Sequence, residues 1–384
     1  MWLGLLLALA LLVGWVVWLV RRLAVAPCWG EVLAEPTERR LRRGVAAAIV
    51  VGTALLVVAE VLQRSVDPGP WRPVFWVGLT WVAFVWYLTL TLALVAVVCG
   101  VLRLARRRAW RDRVARVGAI GSVAVATVVT GYGLVEAASV RTTEVDVTVA
   151  DLDPALDGLR VAVVSDLHVG PVRDAGFVGS VVGRVNAADV DLVVLAGDYA
   201  DGAEEHVGPY LDPLEGLEAT YGAVAVTGNH EFINGDAEAT LERLEGLGVT
   251  ALRNDHVVVE RDGAALVVAG VQDAYGTGDE AADPEAALEG VAPDEPVLYV
   301  AHQPSQVHQA AEADLGIDVQ FSGHTHGGQL WPFGWLVRLD QPTLAGVDEV
   351  DGIQVVTSRG AGAWGPPVRV AAPPEVVVVT LRQG

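Results

Sequence analysis

Seven side chains of the types that bind metal ions follow short apolar runs in the second half of the chain. They are two Asp, four His and one Asn, at Asp166, His168, Asp198, Asn229, His302, His324 and His326. Imidazole, carboxylate and amide oxygen are donors that borderline divalent metals accept. A carboxylate can bridge two cations, so two metal ions can sit roughly 3.5–4 Å apart, as two-metal hydrolases require. The set therefore predicts a binuclear metal centre that accepts Mn, Fe, Zn or Co.

A centre of this kind is suited to hydrolysis at phosphorus. Two divalent cations together bind phosphate oxygens and lower the pKa of a bridging water, and the hydroxide so formed attacks in line. The leaving oxygen then needs a proton. His230 directly follows the predicted ligand Asn229 and is the predicted donor. A role for His230 as a simple phosphate ligand stays open.

The elements that must position these residues are buried strands. Five apolar runs each end at one of the polar blocks, and they span residues 159–164, 191–195, 223–226, 297–300 and 319–321. Two further runs, 353–356 and 375–381, are predicted closing strands. Helical patterns lie between the runs, at 175–186, 209–217, 237–247 and 305–313. This alternation predicts an α/β domain over residues 145–384, with ligands bound beyond the carboxyl ends of the strands.

Residues 1–140 have a different pattern. They contain four apolar stretches, at about 2–20, 44–63, 74–102 and 117–135. Crossing the hydrocarbon of a bilayer takes about 20 helical residues, and backbone amides in lipid must be bonded within the segment. The stretches therefore predict four transmembrane helices. The first lacks the basic start and the small-residue cleavage site of a signal peptide, so we expect it to be retained.

Charge is divided unevenly between the two halves. Residues 1–140 carry 15 Arg and 7 acidic residues, whereas the remainder carries 11 Arg and 40 acidic residues. The Arg residues cluster between the first and second and between the third and fourth stretches, while the middle segment has only Arg64 and Arg72. The positive-inside rule then predicts a multi-pass plasma-membrane protein whose termini and catalytic domain are extracytoplasmic. The acidic domain lacks the basic surface that binding to nucleic-acid phosphates requires.

Other functions compete with a metal-dependent phosphodiesterase or pyrophosphatase. A catalytically inactive membrane scaffold would lack ligands, and none is missing. A transporter would need ionisable groups within its spans, where Glu60 is the only acidic residue. Among enzymes, a phosphomonoesterase or protein phosphatase is the alternative. The oligomeric state is not specified by any of these patterns.

The polar blocks, taken in order, resemble the signature of the calcineurin-like metallophosphoesterases. The blocks are Asp166-x-His168, Gly197-Asp198-x-x-Asp201, Gly228-Asn229-His230-Glu231, His302 and Gly323-His324-x-His326. Any one block is weak evidence for this family, but five blocks in the right order, over about residues 155–330, are a specific signature. The resemblance implies two packed mixed β-sheets flanked by helices, an αββα sandwich.

The resemblance also implies a role for each ligand. The first metal would be held by Asp166, His168 and His326, and the second by Asn229, His302 and His324. Asp198 would bridge the two ions. Asp201 would orient His230 or a ligand.

Beyond these blocks, the chain is similar to membrane-associated bacterial phosphodiesterases and to transmembrane proteins with a metallophosphoesterase domain. This similarity rests on residues 323–329, Ser358-Arg359-Gly360 and Pro373-Pro374-Glu375. Some such relatives cleave the pyrophosphate of a nucleotide-linked acylated sugar, so a lipid-linked substrate is an option beside a small phosphorylated molecule. Arg359 is a candidate for substrate binding, although a structural ion pair fits equally well. The segment 330–337, with Trp331, is expected either to contact lipid or an acyl chain or to pack inside the domain.

Overall fold

A computed structural model describes residues 2–63 and 65–384, with the side chains of all of these except residues 2–6 and 8. Arg64, counted above between the second and third stretches, lies outside the described residues. The chain divides into two compact units. The first comprises residues 1–61 and 73–133, and the second comprises residues 62–72 and 134–384.

The first unit consists of helices that are long and apolar enough to cross a membrane. The long helices are α1 (Trp2–Val20), α2 (Glu35–Leu62), α3 (Pro68–Leu104) and α4 (Arg108–Ala137). Helix α2 begins before its apolar stretch because Glu35 pairs with Arg39 and Glu38 with Arg42, one turn apart. Helices α2 and α3 approach closely at Gly78, where an added Cβ would lie 2.7 Å from Leu55 O.

Among the described residues, the second unit forms two six-stranded sheets. The first sheet contains β1 (Arg141–Val149), β2 (Arg160–Val164), β3 (Leu192–Leu195), β4 (Ala223–Ala225), β5 (Thr250–Ala251) and, at the end of the chain, the last strand (Glu375–Gln383). The second sheet contains β6 (Asp255–Arg261), β7 (Ala264–Gly270), β8 (Val297–Val300), β9 (Val319–Ser322), β10 (Gly346–Val350) and β11 (Ile353–Thr357). The last strand is β12.

Both sheets are mixed. The first has the order β1-β12-β2-β3-β4-β5, with an antiparallel β12–β2 pair among parallel neighbours. The second has the order β10-β11-β9-β8-β7-β6, with antiparallel pairs at its two edges and parallel strands between them. The parallel pairs β2-β3-β4 and β8-β9 supply the strand ends from which the polar blocks emerge.

Shorter helices lie beside the sheets in this unit. They are α5 (Ala175–Ala187), α6 (Glu204–Val207), α7 (Asn229–Asn234), α8 (Ala237–Gly246), α9 (Pro284–Ala287), α10 (Val307–Glu312) and α11 (Gly334–Val337). Helix α5 begins where the side chain of Asp174 accepts hydrogen bonds from the backbone N–H groups of Gly176 and Phe177. This capping satisfies amides that have no partner inside the helix.

Side-chain alternation along the strands creates three apolar layers. Val161 and Val163 of β2 face the second sheet and pack in one cluster with residues of β7, β8 and β9. Ala162 and Val164, on the opposite face of β2, pack in a cluster that includes α5 and α8. A third cluster lies between the outer face of the second sheet and helices α9 and α10. The order of layers is helix, sheet, sheet, helix, which confirms the predicted αββα fold.

Candidate metal centre

The predicted ligands lie just beyond the carboxyl ends of parallel strands. Asp166 and His168 follow β2, Asp198 follows β3, Asn229 follows β4, His302 follows β8, and His324 and His326 follow β9. Neighbouring parallel strands end at the same edge of a sheet, which is where ligands collect in α/β folds. The topology thereby brings together rings such as those of His168 and His326, which are 158 positions apart in the sequence.

One group of ligand atoms is formed by Asp166, His168 and His326. The Nε2 atoms of His168 and His326 are 3.1 Å apart. Nε2 of His326 is also 3.3 Å from Oδ1 of Asp166. All three side chains are buried. Two ring nitrogens and a carboxylate oxygen therefore converge on a single point.

A second group is formed by Asp198, His302 and His324. Nε2 of His302 is 3.2 Å from Oδ2 of Asp198, and Nδ1 of His324 is 2.8 Å from Oδ1 of Asn229. The same Oδ2 of Asp198 is 3.7 Å from Nε2 of His168 in the first group. Asp198 therefore lies between the groups, where a bridging carboxylate would lie.

The arrangement of the imidazole rings fits divalent metal ions. Nε2 of His302 is buried and makes no hydrogen bond with any described residue, while its Nδ1 is 2.6 Å from Ala196 O. When Nδ1–H donates to an outer oxygen, Nε2 keeps its lone pair for a metal. His168 has the same arrangement, because its Nδ1 is 2.8 Å from Oδ1 of Asp201. Two cations would also offset the buried carboxylate of Asp166, which would otherwise be costly to ionise.

The pKa values of the predicted ligands reflect their burial and their mutual charges. Burial raises the pKa of Asp166. Burial also acts to raise the pKa of Asp198, but His302 and His230 outweigh it and hold that pKa well below its usual value. Burial, with His302 nearby, lowers the pKa of His324 to about 4. Burial and the neighbouring His168 likewise lower the pKa of His326. His324 and His326 are thus neutral at pH 7, the form in which imidazole binds metals.

Asp201 orients two imidazole rings at once. Its Oδ1 is 2.8 Å from Nδ1 of His168 and 2.7 Å from Nδ1 of His230. Burial acts to lower the pKa of His230, but the carboxylates of Asp201 and Asp198 outweigh it and raise that pKa to about 9. A protonated imidazole therefore stands next to the ligand groups, with its ring centroid 4.6 Å from that of His168. This is a suitable position for a proton donor.

The backbone at the site is strained. Five of the predicted ligands have left-handed φ values: Asp166 at 57°, His168 at 46°, Asp198 at 57°, His324 at 67° and His326 at 51°. A residue other than glycine in this region costs about 1–3 kcal/mol, and such residues cluster at functional sites. Glycine is needed at position 197, where φ is 88° and an added Cβ would lie 2.8 Å from Nδ1 of His302.

Arg369 is a site residue that the sequence patterns did not reveal. It is fully buried, and its five N–H donors all have partners. They contact the carbonyl oxygens of Gly360, Gly362, His326 and Ala372 and, at 3.1 Å, Nδ1 of His326. Arg369 therefore fixes both the backbone and the ring of His326. It lies 43 positions away in a segment without a recognisable motif.

Glu231 belongs to a predicted block but had no predicted role. Its buried carboxylate accepts hydrogen bonds from the backbone N–H groups of Asp198, Tyr199 and Gly228. It thereby ties the loop after β3 to the loop after β4. The capping position at the start of α7 was the available sequence signal, because Glu three residues after an N-cap commonly bonds back to the backbone.

The two predicted substrate-binding residues lie at the edge of this site. Arg359 forms a 2.6 Å ion pair with Glu375, and its side chain is 31% exposed. Trp331 is 60% exposed and lines, with Trp335, a pocket of about 250 Å³ that also includes Gly327, the residue after His326. The hydroxyl of Thr325 donates to Leu344 O at 2.7 Å, which ties the chain beyond this pocket to the loop that carries His324 and His326.

Comparison with known proteins agrees with this geometry. The family model described as calcineurin-like phosphoesterase matches residues 159–328. A transmembrane protein with metallophosphoesterase domain from Danio rerio is 32% identical over 293 residues, which cover 73% of this chain and 67% of that protein. An uncharacterized metallophosphoesterase of Helicobacter pylori (strain J99) is 37% identical over 233 residues, covering 60% of this chain and 61% of that protein. An uncharacterized metallophosphoesterase from Aquifex aeolicus is 32% identical over 229 residues, covering 58% of this chain and 85% of that protein.

The matched region includes every polar block from Asp166 to His326. The chain spans about two thirds of the length of the first two relatives, at 67% and 61%. The four apolar helices are long enough to cross a membrane, and the Danio rerio relative is named as a transmembrane protein; both point to membrane association. The chain belongs to the calcineurin-like metallophosphoesterases, a family of hydrolases that act on phosphate esters.

Proposed function

We propose that the protein is a membrane-anchored, metal-dependent phosphoesterase that hydrolyses a phosphodiester or pyrophosphate bond. The observation that carries the proposal is the convergence of two ligand groups on the carboxylate of Asp198. When bound, two divalent ions such as Mn, Zn or Fe would supply positive charge for the phosphate oxygens and would acidify a water molecule. One ion would be held by Asp166, His168 and His326, and the other by Asn229, His302 and His324, with Asp198 shared.

The side chains of the protein would orient the phosphate and move the proton. Asp201 engages Nδ1 of His230, so Nε2 is the ring nitrogen left to face the substrate. From there it can donate a proton to the leaving oxygen. Arg359 is proposed to contact the substrate phosphate from the edge of the site, using the part of its guanidinium that Glu375 does not engage.

Hydrolysis by the full-length protein in lipid nanodiscs tests this proposal. We expect turnover of bis-p-nitrophenyl phosphate when Mn²⁺ or Zn²⁺ is present, its loss in chelator, and its return when the metal is restored. Activity that persists in chelator would contradict the proposal. Faster turnover of the monoester p-nitrophenyl phosphate would favour the alternative of a phosphomonoesterase or protein phosphatase. No turnover of either ester, with metal bound, would favour an inactive scaffold.

We propose further that the substrate is linked to a lipid. The segment after the last ligand exposes Trp331 at 60%, Trp335 at 72%, Leu336 at 52% and Leu339 at 83%. Exposed apolar clusters mark binding surfaces, and Trp favours the interface between lipid and water. The pocket between the two indoles lies beside Gly327, so an acyl chain held there would have its phosphate close to the metal ligands.

Replacing both Trp331 and Trp335 by Ser should weaken turnover of a lipid-linked substrate. We expect kcat/KM for a lipid-linked diester in nanodiscs to fall about tenfold or more, because two aromatic surfaces of the pocket are lost. Turnover of soluble bis-p-nitrophenyl phosphate should stay within about twofold, because the metal ligands are unchanged. Tyr275→Ser, at an exposed aromatic residue that does not line the pocket, is the matched control. Equal losses on both substrates would discard the lipid role.

We propose that the catalytic unit and both termini lie outside the cytoplasm at the plasma membrane. The support is the Arg content of the segments that join the helices. Alkaline phosphatase fused after Gly384 should then be active, and a green fluorescent protein at the same place should be dark. The same two reporters fused after Arg106, between α3 and α4, should give the opposite pattern. Fluorescence at the C-terminus would show that the orientation is reversed.

A further inference from the structure

The segment between His168 and α5 connects the metal site to the ends of two long helices. This segment, residues 169–174, is called the brace below. The N–H of Val169 donates to Tyr199 O, and the N–H of Asp201 donates to Val169 O, both at 2.8 Å. A displacement of the brace would therefore also displace Asp201. The rings of His168 and His230, which Asp201 orients, would move with it.

The first connection is made by Arg72, near the start of α3. Residues 62–72 belong to the same compact unit as the catalytic domain. Nη1 of Arg72 is 3.0 Å from Oδ2 of Asp174, the last residue of the brace. The guanidinium carbon also lies 5.3 Å from the ring centroid of Tyr210. With its side chain only 24% exposed, Arg72 is held by an ion pair and a stacked ring together.

The second connection is made by Arg173, the neighbour of Asp174. Nη2 of Arg173 donates to Ala137 O at 3.1 Å, and Ala137 is the last residue of α4. The side chain is buried, and its guanidinium carbon lies 4.3 Å from the ring centroid of Phe177. Burial lowers the pKa of Arg173 to about 10, so the side chain remains charged at neutral pH. A cation at this place stabilises the carbonyl end of a helix.

A third contact reaches the residue after Asp201. An added Cβ at Gly202, whose φ is 154°, would lie 3.0 Å from Gln63 O. Gln63 directly follows α2, so the loop that joins α2 to α3 touches the loop that carries Asp201. Contacts from three helix ends therefore converge on the two loops that present His168 and Asp201.

We propose that Arg72 and Arg173 are positioning residues that fasten the ends of α3 and α4 to the brace and thereby hold His168 and Asp201 in their working positions. The ends of these helices that belong to the second unit then help to position the catalytic residues. This inference rests on the proposed hydrolase function. Precise placement matters because a displacement of about 1 Å can cost on the order of 100-fold in rate.

The Arg72–Asp174 pair provides the test, in the full-length protein in nanodiscs. For Arg72→Gln we expect kcat on bis-p-nitrophenyl phosphate to fall roughly 5- to 20-fold. The dissociation constant for Mn²⁺, measured by calorimetric titration, should rise by a similar factor because His168 is a ligand. Arg72→Lys, which keeps the ion pair, should recover most of both. Asp174→Asn keeps an N-cap for α5 but loses the charge, so it should match Arg72→Gln.

A double-mutant cycle and a matched control complete the design. The Arg72→Gln, Asp174→Asn double variant should lose no more than either single variant, because both remove the same contact. Arg382→Gln removes a comparable pair with Asp146, at 3.1 Å, and should stay within about twofold. Variants that match this control in both kcat and Mn²⁺ affinity would overturn the proposal, whether or not their melting temperature falls. If the wild type hydrolyses no diester, the proposed function fails, while the Mn²⁺ affinities still decide the role of the brace.

Discussion

Replacing both Asn229 and His302 by Ala is expected to lower kcat for bis-p-nitrophenyl phosphate by more than about 10³-fold. Removal of a single group that stabilises charge in the transition state can already cause a loss of that size. His302 is fully buried and directs an Nε2 without a hydrogen bond toward Asp198. Asn229 presents its Oδ1 to Nδ1 of His324 at 2.8 Å. Removing both leaves His324 and the shared Asp198 as the remaining ligands of that group, too few to hold a divalent ion tightly.

The metal content separates this explanation from unfolding. We expect the wild type to bind two Mn²⁺ ions per chain in a calorimetric titration and the double variant to bind one, because the group of Asp166, His168 and His326 is untouched. His308→Ala is the matched control, since His308 is half exposed and pairs with Asp351 away from the ligand groups. Full activity in the double variant would refute the assignment of these two ligands. Two tightly bound ions in that variant would do the same.

The variant His230→Gln is expected to show a loss that depends on the leaving group. Removing a general acid should slow hydrolysis of a diester with a phenol leaving group by roughly 10²–10⁴-fold. The loss should be much smaller for p-nitrophenol, which leaves readily without a proton. The structural reason is that Asp201 holds His230 through Nδ1 and leaves Nε2 available. The measurement is kcat for a series of aryl diesters of increasing leaving-group basicity.

Asp201→Asn is the companion variant. It should show a smaller loss with the same trend, because Asp201 acts through the rings of His230 and His168 and does not touch the substrate. Equal losses of His230→Gln across the whole series would mean that His230 binds the phosphate and does not donate the proton. Unchanged rates across the series would remove His230 from the mechanism.

Much of the fold was predictable because its strands are short, apolar and followed by polar blocks. Strands β2, β3, β8 and β9 coincide closely with the predicted runs. Strand β1 was missed because it is stabilised by pairing with β12 at the other end of the chain, with Thr143 bonded to Glu375 across 232 positions. Its alternation of exposed and buried residues is visible, but one edge strand carries no polar block to mark it.

At the site, strand β7 was also absent from the predicted runs. It ends near Asp273, a buried carboxylate that accepts two hydrogen bonds from Nε2 of Gln303, next to His302. Asp273 is a further buried acidic group at this edge of the sheets, yet the sequence patterns did not single it out. Its partner lies 30 positions away, and the order in which strands pair is needed to bring the two together.

The amino-acid sequence by itself determined the kinds of ligand, their order, and the separation of a helical membrane region from an α/β domain. These properties are local, because ligand chemistry depends on side-chain type and the length of an apolar run depends on adjacent residues. Only the tertiary structure decided that Asp201 serves two imidazoles, that Arg369 holds the ring of His326, and that the helix ends meet the brace. Those features depend on distances between atoms far apart in the chain, which are settled by strand order and packing.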